Sequence, residues 1–198
     1  MKRRVSAWTR FFASLRMTVQ ATHVFQIHPR SNDAHMKPSE RVQAALDAIT
    51  SGIRVVEFEI STATAPEAAA AAGCELGAIV KSLLFLIDGR PALVLVAGDR
   101  MADSKKIAAL SGVGKKKVKL ADAETVHRVT GYQVGGVPPV GLETKLSVLV
   151  DETLGRFETV WAAAGEHNAV FPVPFSKLVE ITGGQVAALT EVVCVSES

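Results

Sequence analysis

The sequence predicts a mixed, strand-rich α/β domain with short helices around its sheet. Three observations point there. Short apolar runs of strand length alternate with segments of helical period. The chain is 48% hydrophobic and 21% charged, rich in alanine, valine and glycine, so it can bury a sizeable core. No internal repeat or linker divides residues 36–198, and the length suits one domain.

In chain order, residues 38–51 have helical period. Ser39 is placed to cap them, Val42, Ala45, Leu46 and Ile49 share one side, and Gly52 follows as a stop. Residues 53–60, IRVVEFEI, predict a strand. Thr64-Ala65-Pro66-Glu67 has capping-box spacing with an early proline, and the alanine run after it predicts a helix ending near Gly73. Residues 78–87, AIVKSLLFLI, predict a strand apolar on both sides apart from Lys81 and Ser82. Asp88-Gly89 is a hairpin turn signal, and 92–97 is the expected antiparallel partner. A short helix over 103–111, a strand over 117–120 and a helix over 122–130, capped by Asp122, come next. Gly131–Gly141 holds four glycines and two prolines in eleven residues and cannot be a regular element. Strands are expected at 146–151, 156–163 and 168–173, and a last helix at about 175–182 before Gly183-Gly184.

Charge is unevenly distributed. Residues 1–35 carry six basic groups and one acid, Asp33. Removing these from the totals of 22 basic and 20 acidic residues leaves 16 and 19 for residues 36–198. The folded part is slightly acidic, so any RNA contact must come from a local patch. The leader 1–35 reads as a disordered segment or a misassigned start, with Met36 opening the domain; a targeting segment or a basic helix are the other readings. No apolar run reaches the roughly 18 residues that span a bilayer, so no membrane partner is expected. Cys74 and Cys194 form neither a disulfide framework nor a zinc pattern, and a reduced, cytoplasmic setting fits them. The five histidines give no HExxH or Cys/His cluster, so neither a metal nor another cofactor is expected.

Two features could carry chemistry. Lys81 interrupts one of the most apolar stretches. An unpaired buried ammonium is costly, so it must either snorkel at a sheet rim or reach a carboxylate or a ligand. Ser82 alternates to the other side of the strand, which argues against a Ser82–Lys81 dyad. The Gly135–Pro139 loop is either a tight turn or a place where backbone N–H groups approach a ligand, with the prolines fixing its shape. Lys105, Lys106, Lys115, Lys116, Lys117 and Lys119 form either a solvated charged surface or a phosphate contact. Gly112–Lys116 lacks the pattern of a phosphate loop.

In combination, Ile79-Val80-Lys81-Ser82-Leu83-Leu84-Phe85 and, roughly 50 residues later, Gly131-Tyr132-Gln133-Val134-Gly135-Gly136-Val137-Pro138-Pro139-Val140-Gly141 resemble the YbaK-like, or prolyl-tRNA synthetase-associated, editing domain family. The family's essential lysine falls on Lys81 and its GxxxP motif on Gly135 and Pro139. The resemblance implies a mixed, barrel-like sheet flanked by helices. It implies hydrolysis of the ester joining an amino acid to the terminal adenosine of tRNA. In such domains the lysine holds the 3′ end, backbone of the GxxxP loop grips the aminoacyl group, and water attacks without a protein nucleophile or a metal. Gly135 and Gly136 are then expected to bring N–H groups to the reacting carbonyl. Aminoacyl-tRNA is the implied partner, and an aminoacyl-tRNA synthetase a further one. Where some relatives carry Gly-Gly-Lys-Arg-Gly followed by aspartate, this chain has Ala164–Phe171, so a cysteinyl preference does not carry over. Val137, Pro138, His167 and Asn168 are the expected pocket lining, suited to a small side chain such as alanine or 2-aminobutyrate. A non-catalytic module that binds tRNA or a synthetase through the same cleft is the alternative, followed by an unrelated ester or amide hydrolase.

Overall fold

A computed structural model describes residues 36–192. The leader 1–35, with the readings given for it above, lies outside the described residues. Five α-helices and ten strands are described: α1 Pro38–Ile49, β1 Val56–Glu57, α2 Ala65–Ala72, β2 Ile79–Ile87, β3 Arg90–Ala97, β4 Arg100–Ala102, α3 Ser104–Ser111, β5 Val118–Leu120, α4 Ala123–Thr130, β6 Ser147–Asp151, β7 Thr159–Ala163, β8 Ala169–Pro174, α5 Phe175–Thr182, β9 Gln185–Ala187 and β10 Thr190–Val192. The main sheet runs β1-β8-β7-β2-β3-β6-β9, and β5 adds to β2; β4 and β10 form a separate pair. Both parallel and antiparallel ladders occur, so the sheet is mixed.

The β2–β3 hairpin is the centre. Asp88 and Gly89 both have positive φ, 52° and 77°, and Ile87 pairs with Arg90 across them. That geometry is the tight turn that aspartate and glycine tolerate. β2 and β3 are covered on both faces, which explains their unbroken apolar runs. On one face Val80, Leu84, Leu93 and Leu95 pack with Val42 and Leu46 of α1, Val126 of α4 and Leu178 of α5. On the other, Phe85, Ile87, Val94 and Val96 pack with Ile107 of α3 and Leu189. A third, smaller group joins Ala68 and Ala69 of α2 to Ile79.

Several expectations are corrected. Ser39 does not cap α1. Lys37 is the N-cap, its N–H bound by the Glu40 carboxylate at 3.0 Å, while buried Ser39 donates to Glu57 at 2.8 Å. Ile49 is exposed, because the helix turns its last residue away from the sheet. The strand expected over 53–60 contracts to Val56–Glu57, because it is an edge that meets only Ala169 and Val170 of β8. Residues 152–156 form a 3₁₀ turn, so β7 starts at Thr159. The three-residue strands β4, β9 and β10 escaped the sequence reading.

Asp151, at the end of β6, is fully buried. It accepts from the N–H and hydroxyl of Thr153, from Leu189 N–H at 2.8 Å and from the Thr190 hydroxyl at 3.1 Å. It ties the 3₁₀ turn and the β10 segment to the main sheet. Asp151→Ala strands those donors and is expected to cost about 3 kcal/mol. Thermal unfolding reads this as a lowered Tm, and Asp151→Asn should recover part of the loss.

Candidate functional site

Along one edge β2 pairs with β3 from Val80 to Ile87. Along its other edge it meets β7 only at Ile79–Val80 and β5 only at Phe85–Ile87. The two flanking strands diverge, and Lys81–Leu83 border a gap between them. A cleft of about 260 Å³ opens there. Because it lies at a strand edge, consecutive residues of β2 line it, Lys81 and Ser82 together. The Leu84 carbonyl accepts from Ala121 on this edge, so the N–H and C=O of Ser82, two residues back, point the same way.

Lys81 is half-buried. Its Nζ donates to the Arg100 carbonyl at 2.5 Å. Burial pulls its pKa below the ordinary lysine value, and the Asp99 carboxylate opposes that pull. The lysine thus reaches a backbone acceptor and feels a carboxylate's charge while lining the cleft. Ser82 Oγ is buried and lacks a hydrogen-bond partner among the described residues.

Opposite stands the glycine loop. Its base is closed by Tyr132, buried, whose hydroxyl donates to the Gly141 carbonyl at 2.9 Å, with the Arg41 guanidinium 4.7 Å over the ring. Gly135 has φ +92°, and a Cβ there would sit 3.0 Å from the Ala63 carbonyl and 3.4 Å from the His167 ring. Glycine is therefore required by both conformation and space. Val134, Gly135 and Val137 line the cleft. The third wall is α2 and the chain before it, Thr62–Ala65 and Ala68, and the floor includes Trp161, Ala163 and Val170. Thr64 caps α2: its hydroxyl accepts from Glu67 N–H and the Glu67 carboxylate accepts from Thr64 N–H.

The structure brings Lys81, Gly135 and Val137 to one cleft. It does not bring Gly136, Pro138, Pro139 or Asn168 to its wall. Gly136 N–H donates to the Gln133 carbonyl at 3.0 Å and its carbonyl accepts from Gly165, so it closes the turn instead of offering a free donor. Pro138 and Pro139 are buried and set the loop's course. The Asn168 amide donates to the Phe58 carbonyl at 3.1 Å, holding the segment after β1. His167 is exposed beside the loop. Its Nε2 lies 2.9 Å from the Val134 carbonyl and so donates to it, and its own carbonyl accepts from Thr62 N–H at 2.5 Å. It staples the glycine loop to the α2 wall. The α2 wall, Trp161 and Ala163 were missed; the capping box at Thr64 was visible, but nothing in the sequence places it across from Lys81. The lysine-rich segment takes part in surface pairs, Lys117 with Asp88 at 2.9 Å and Lys106 with the Thr190 carbonyl. Among the described residues no group of three or more His, Cys, Asp or Glu could hold a metal, and no helix is long and apolar enough to cross a membrane.

The family model of the aminoacyl-tRNA editing domain matches residues 60–181, a span holding Lys81, the glycine loop and every wall of the cleft. The chain belongs to the aminoacyl-tRNA editing domain family. Proteins similar to this chain include the uncharacterized protein YwhH of Bacillus subtilis (strain 168), 36% identical over 133 residues, 67% of this chain and 83% of that protein. Another, from Enterococcus faecalis (strain ATCC 700802 / V583), is named "Putative Cys-tRNA(Pro)/Cys-tRNA(Cys) deacylase EbsC"; it is 27% identical over 128 residues, 64% of this chain and 77% of that one. A crystal structure described as "a putative trans-editing enzyme for prolyl tRNA synthetase" superposes with a TM-score of 0.74 at 42% identity, covering 79% of this chain and 98% of that one. The editing-domain fold expected from the Lys81 and Gly135–Pro139 motifs is the fold observed, and family and neighbours together point to aminoacyl-tRNA editing.

Proposed function

We propose that this protein is a deacylase acting in trans on mischarged tRNA, hydrolysing the ester between a small amino acid and the terminal adenosine. One observation carries the reading. A half-buried ammonium, Lys81, and backbone of the glycine loop at Gly135 and Val137 line the same cleft in a chain of the editing family. Water adds to the ester carbonyl, the carbon–oxygen bond to the ribose breaks, and the ribose oxygen leaves with a proton. The Lys81 ammonium holds the ribose or phosphate oxygens of the 3′ end and offsets developing negative charge. Gly135 and Val137, whose N–H groups take no partner among the described residues, face the acyl group. Gly136, Pro138 and Pro139 shape that backbone, and His167 and Asn168 fix the segments around it.

The lining hydroxyls do not form a nucleophile–base pair. Thr62 donates to the His167 carbonyl, Thr64 caps α2, and Ser82 has no base against it. Water is therefore the attacking group. Ala63, Ala65, Ala68 and Ala163 leave limited apolar room, which suits a small side chain. The test is a panel of alanyl-, seryl-, threonyl- and cysteinyl-tRNA mischarging pairs incubated with purified protein. Catalytic loss of one small acyl group supports the reading. Stoichiometric tRNA binding with every ester intact would favour a non-catalytic module, and hydrolysis of free amino-acid esters without tRNA dependence an unrelated esterase.

A further inference from the structure

Asp99 sits at the turn between β3 and β4, beside the cleft's lysine yet outside its lining. Arg156, from the 3₁₀ turn 57 residues later, places Nη2 at 2.7 and 2.9 Å from the two Asp99 oxygens. Arg100 Nε stands 3.8 Å from the carboxylate and has no hydrogen-bond partner among the described residues. The turn is boxed in: a Cβ on Gly98 would run into the Leu76 carbonyl, and one on Gly77 would lie 2.9 Å from the Arg156 guanidinium. The residue after Asp99 supplies the carbonyl that receives Lys81 Nζ. Carboxylate, turn and ammonium therefore form one unit.

We propose that Asp99 is a positioning residue for Lys81: anchored by Arg156, it fixes the turn that presents the Arg100 carbonyl to the lysine and sets a negative charge near the ammonium. The proposal rests on the reading of Lys81 above only for its effect on deacylation. The elements around Lys81 carry other charges. Arg90 and Lys119 lie on β3 and β5 toward the far end of β2. Glu67 of α2 is occupied by Thr64 and Ser61, Glu75 precedes β2, Glu152 and Arg156 lie in the 3₁₀ turn, and Glu158 follows it. Asp99 is the one that raises the Lys81 pKa against burial, and its own carboxyl is held below the usual range chiefly by the Arg156 hydrogen bond.

The experiment uses full-length protein with ¹³C,¹⁵N-labelled lysine, following the Lys81 Cε and Nζ signals against pH, assigned through Lys81→Arg. Asp99→Asn removes the favourable charge, so Lys81 is expected to lose its proton at lower pH than in wild type. Arg156→Gln removes a cation and is expected to move the midpoint the other way. Asp99→Glu, which keeps the charge, should stay near wild type. An unchanged midpoint in Asp99→Asn, or a shift of the same sign in Asp99→Asn and Arg156→Gln, would overturn the proposal; the latter is what mere loosening of the turn produces. On a tRNA that the wild type deacylates, the alkaline limb of the Asp99→Asn rate profile should move to lower pH. If the wild type deacylates none of the panel, the proposed function fails while the lysine titration still decides the role of Asp99.

Discussion

Lys81→Ala is expected to slow deacylation about 100- to 1,000-fold, the range seen when one preorganised charge-stabilising group is removed from a reaction site. The ammonium is half-buried at a gap where little water competes, so its field is stronger than a surface lysine's. Stability should change far less. The lost bond is the one to the Arg100 carbonyl, worth about 1 kcal/mol. Thermal unfolding should therefore stay within about 2–4 °C of wild type. Lys81→Arg should restore little, because a forked guanidinium cannot occupy the place of a compact ammonium against one carbonyl. The wild-type rate should also fall at alkaline pH. The active form is protonated, and burial sets its pKa below that of a free lysine, so the fall should begin at lower pH than free lysine would dictate. Single-turnover rates on one mischarged tRNA across pH read both effects; a mutant as fast as wild type would remove Lys81 from the mechanism.

Gly135→Ala should be the second large effect. The residue sits at φ +92°, a conformation L side chains rarely adopt, and the new Cβ would press against the Ala63 carbonyl at 3.0 Å. The backbone has little room to yield, because His167 staples the loop to the facing wall. A cost of about 1–3 kcal/mol is expected from the strain. Relief by shifting the loop would move the Gly135 and Val137 N–H groups off the acyl position, lowering the rate at least about tenfold. Gly136→Ala is the internal comparison. Its φ is not positive, so only space opposes a Cβ, which would lie 3.0 Å from the Gly165 carbonyl oxygen and 3.2 Å from the Glu166 nitrogen. It should keep more of both stability and rate. Melting curves and deacylation rates measured together test the pair, and equal tolerance of the two substitutions would contradict the loop geometry.

Local signals were enough for the longer elements, and the site's surroundings emerge only from the fold. Asp88-Gly89 between two apolar runs was sufficient for the central hairpin, and Thr64 with Glu67 for α2. Lys81 was conspicuous because an ammonium amid apolar residues must be accounted for. The partners that account for it were not visible. Arg100 is 19 positions away in a three-residue strand with no periodic pattern, and Arg156 lies in a 3₁₀ turn that read as the start of a strand. The alternation rule placed Ser82 away from Lys81, correctly for a full sheet. It could not show that β7 and β5 leave a gap where Lys81 and Ser82 line one cleft. The loop's glycines were equally conspicuous, but which main-chain groups the turn itself consumes depends on Gln133, which takes the Gly136 N–H, and Gly165, which takes its carbonyl.

That gap in the ladder has a consequence for how the protein can change over generations. At Ser82, Gly135 and Val137 the cleft is bordered by main chain, and main-chain groups are the same whatever side chain they carry. An alanine scan would register Lys81 and pass over much of the rest, since truncating a side chain leaves the peptide N–H in place. Side chains on the cleft's rim are correspondingly free to drift and, under the proposed function, to retune which acyl group fits, while the proposed grip on the ester would be carried by the polymer itself.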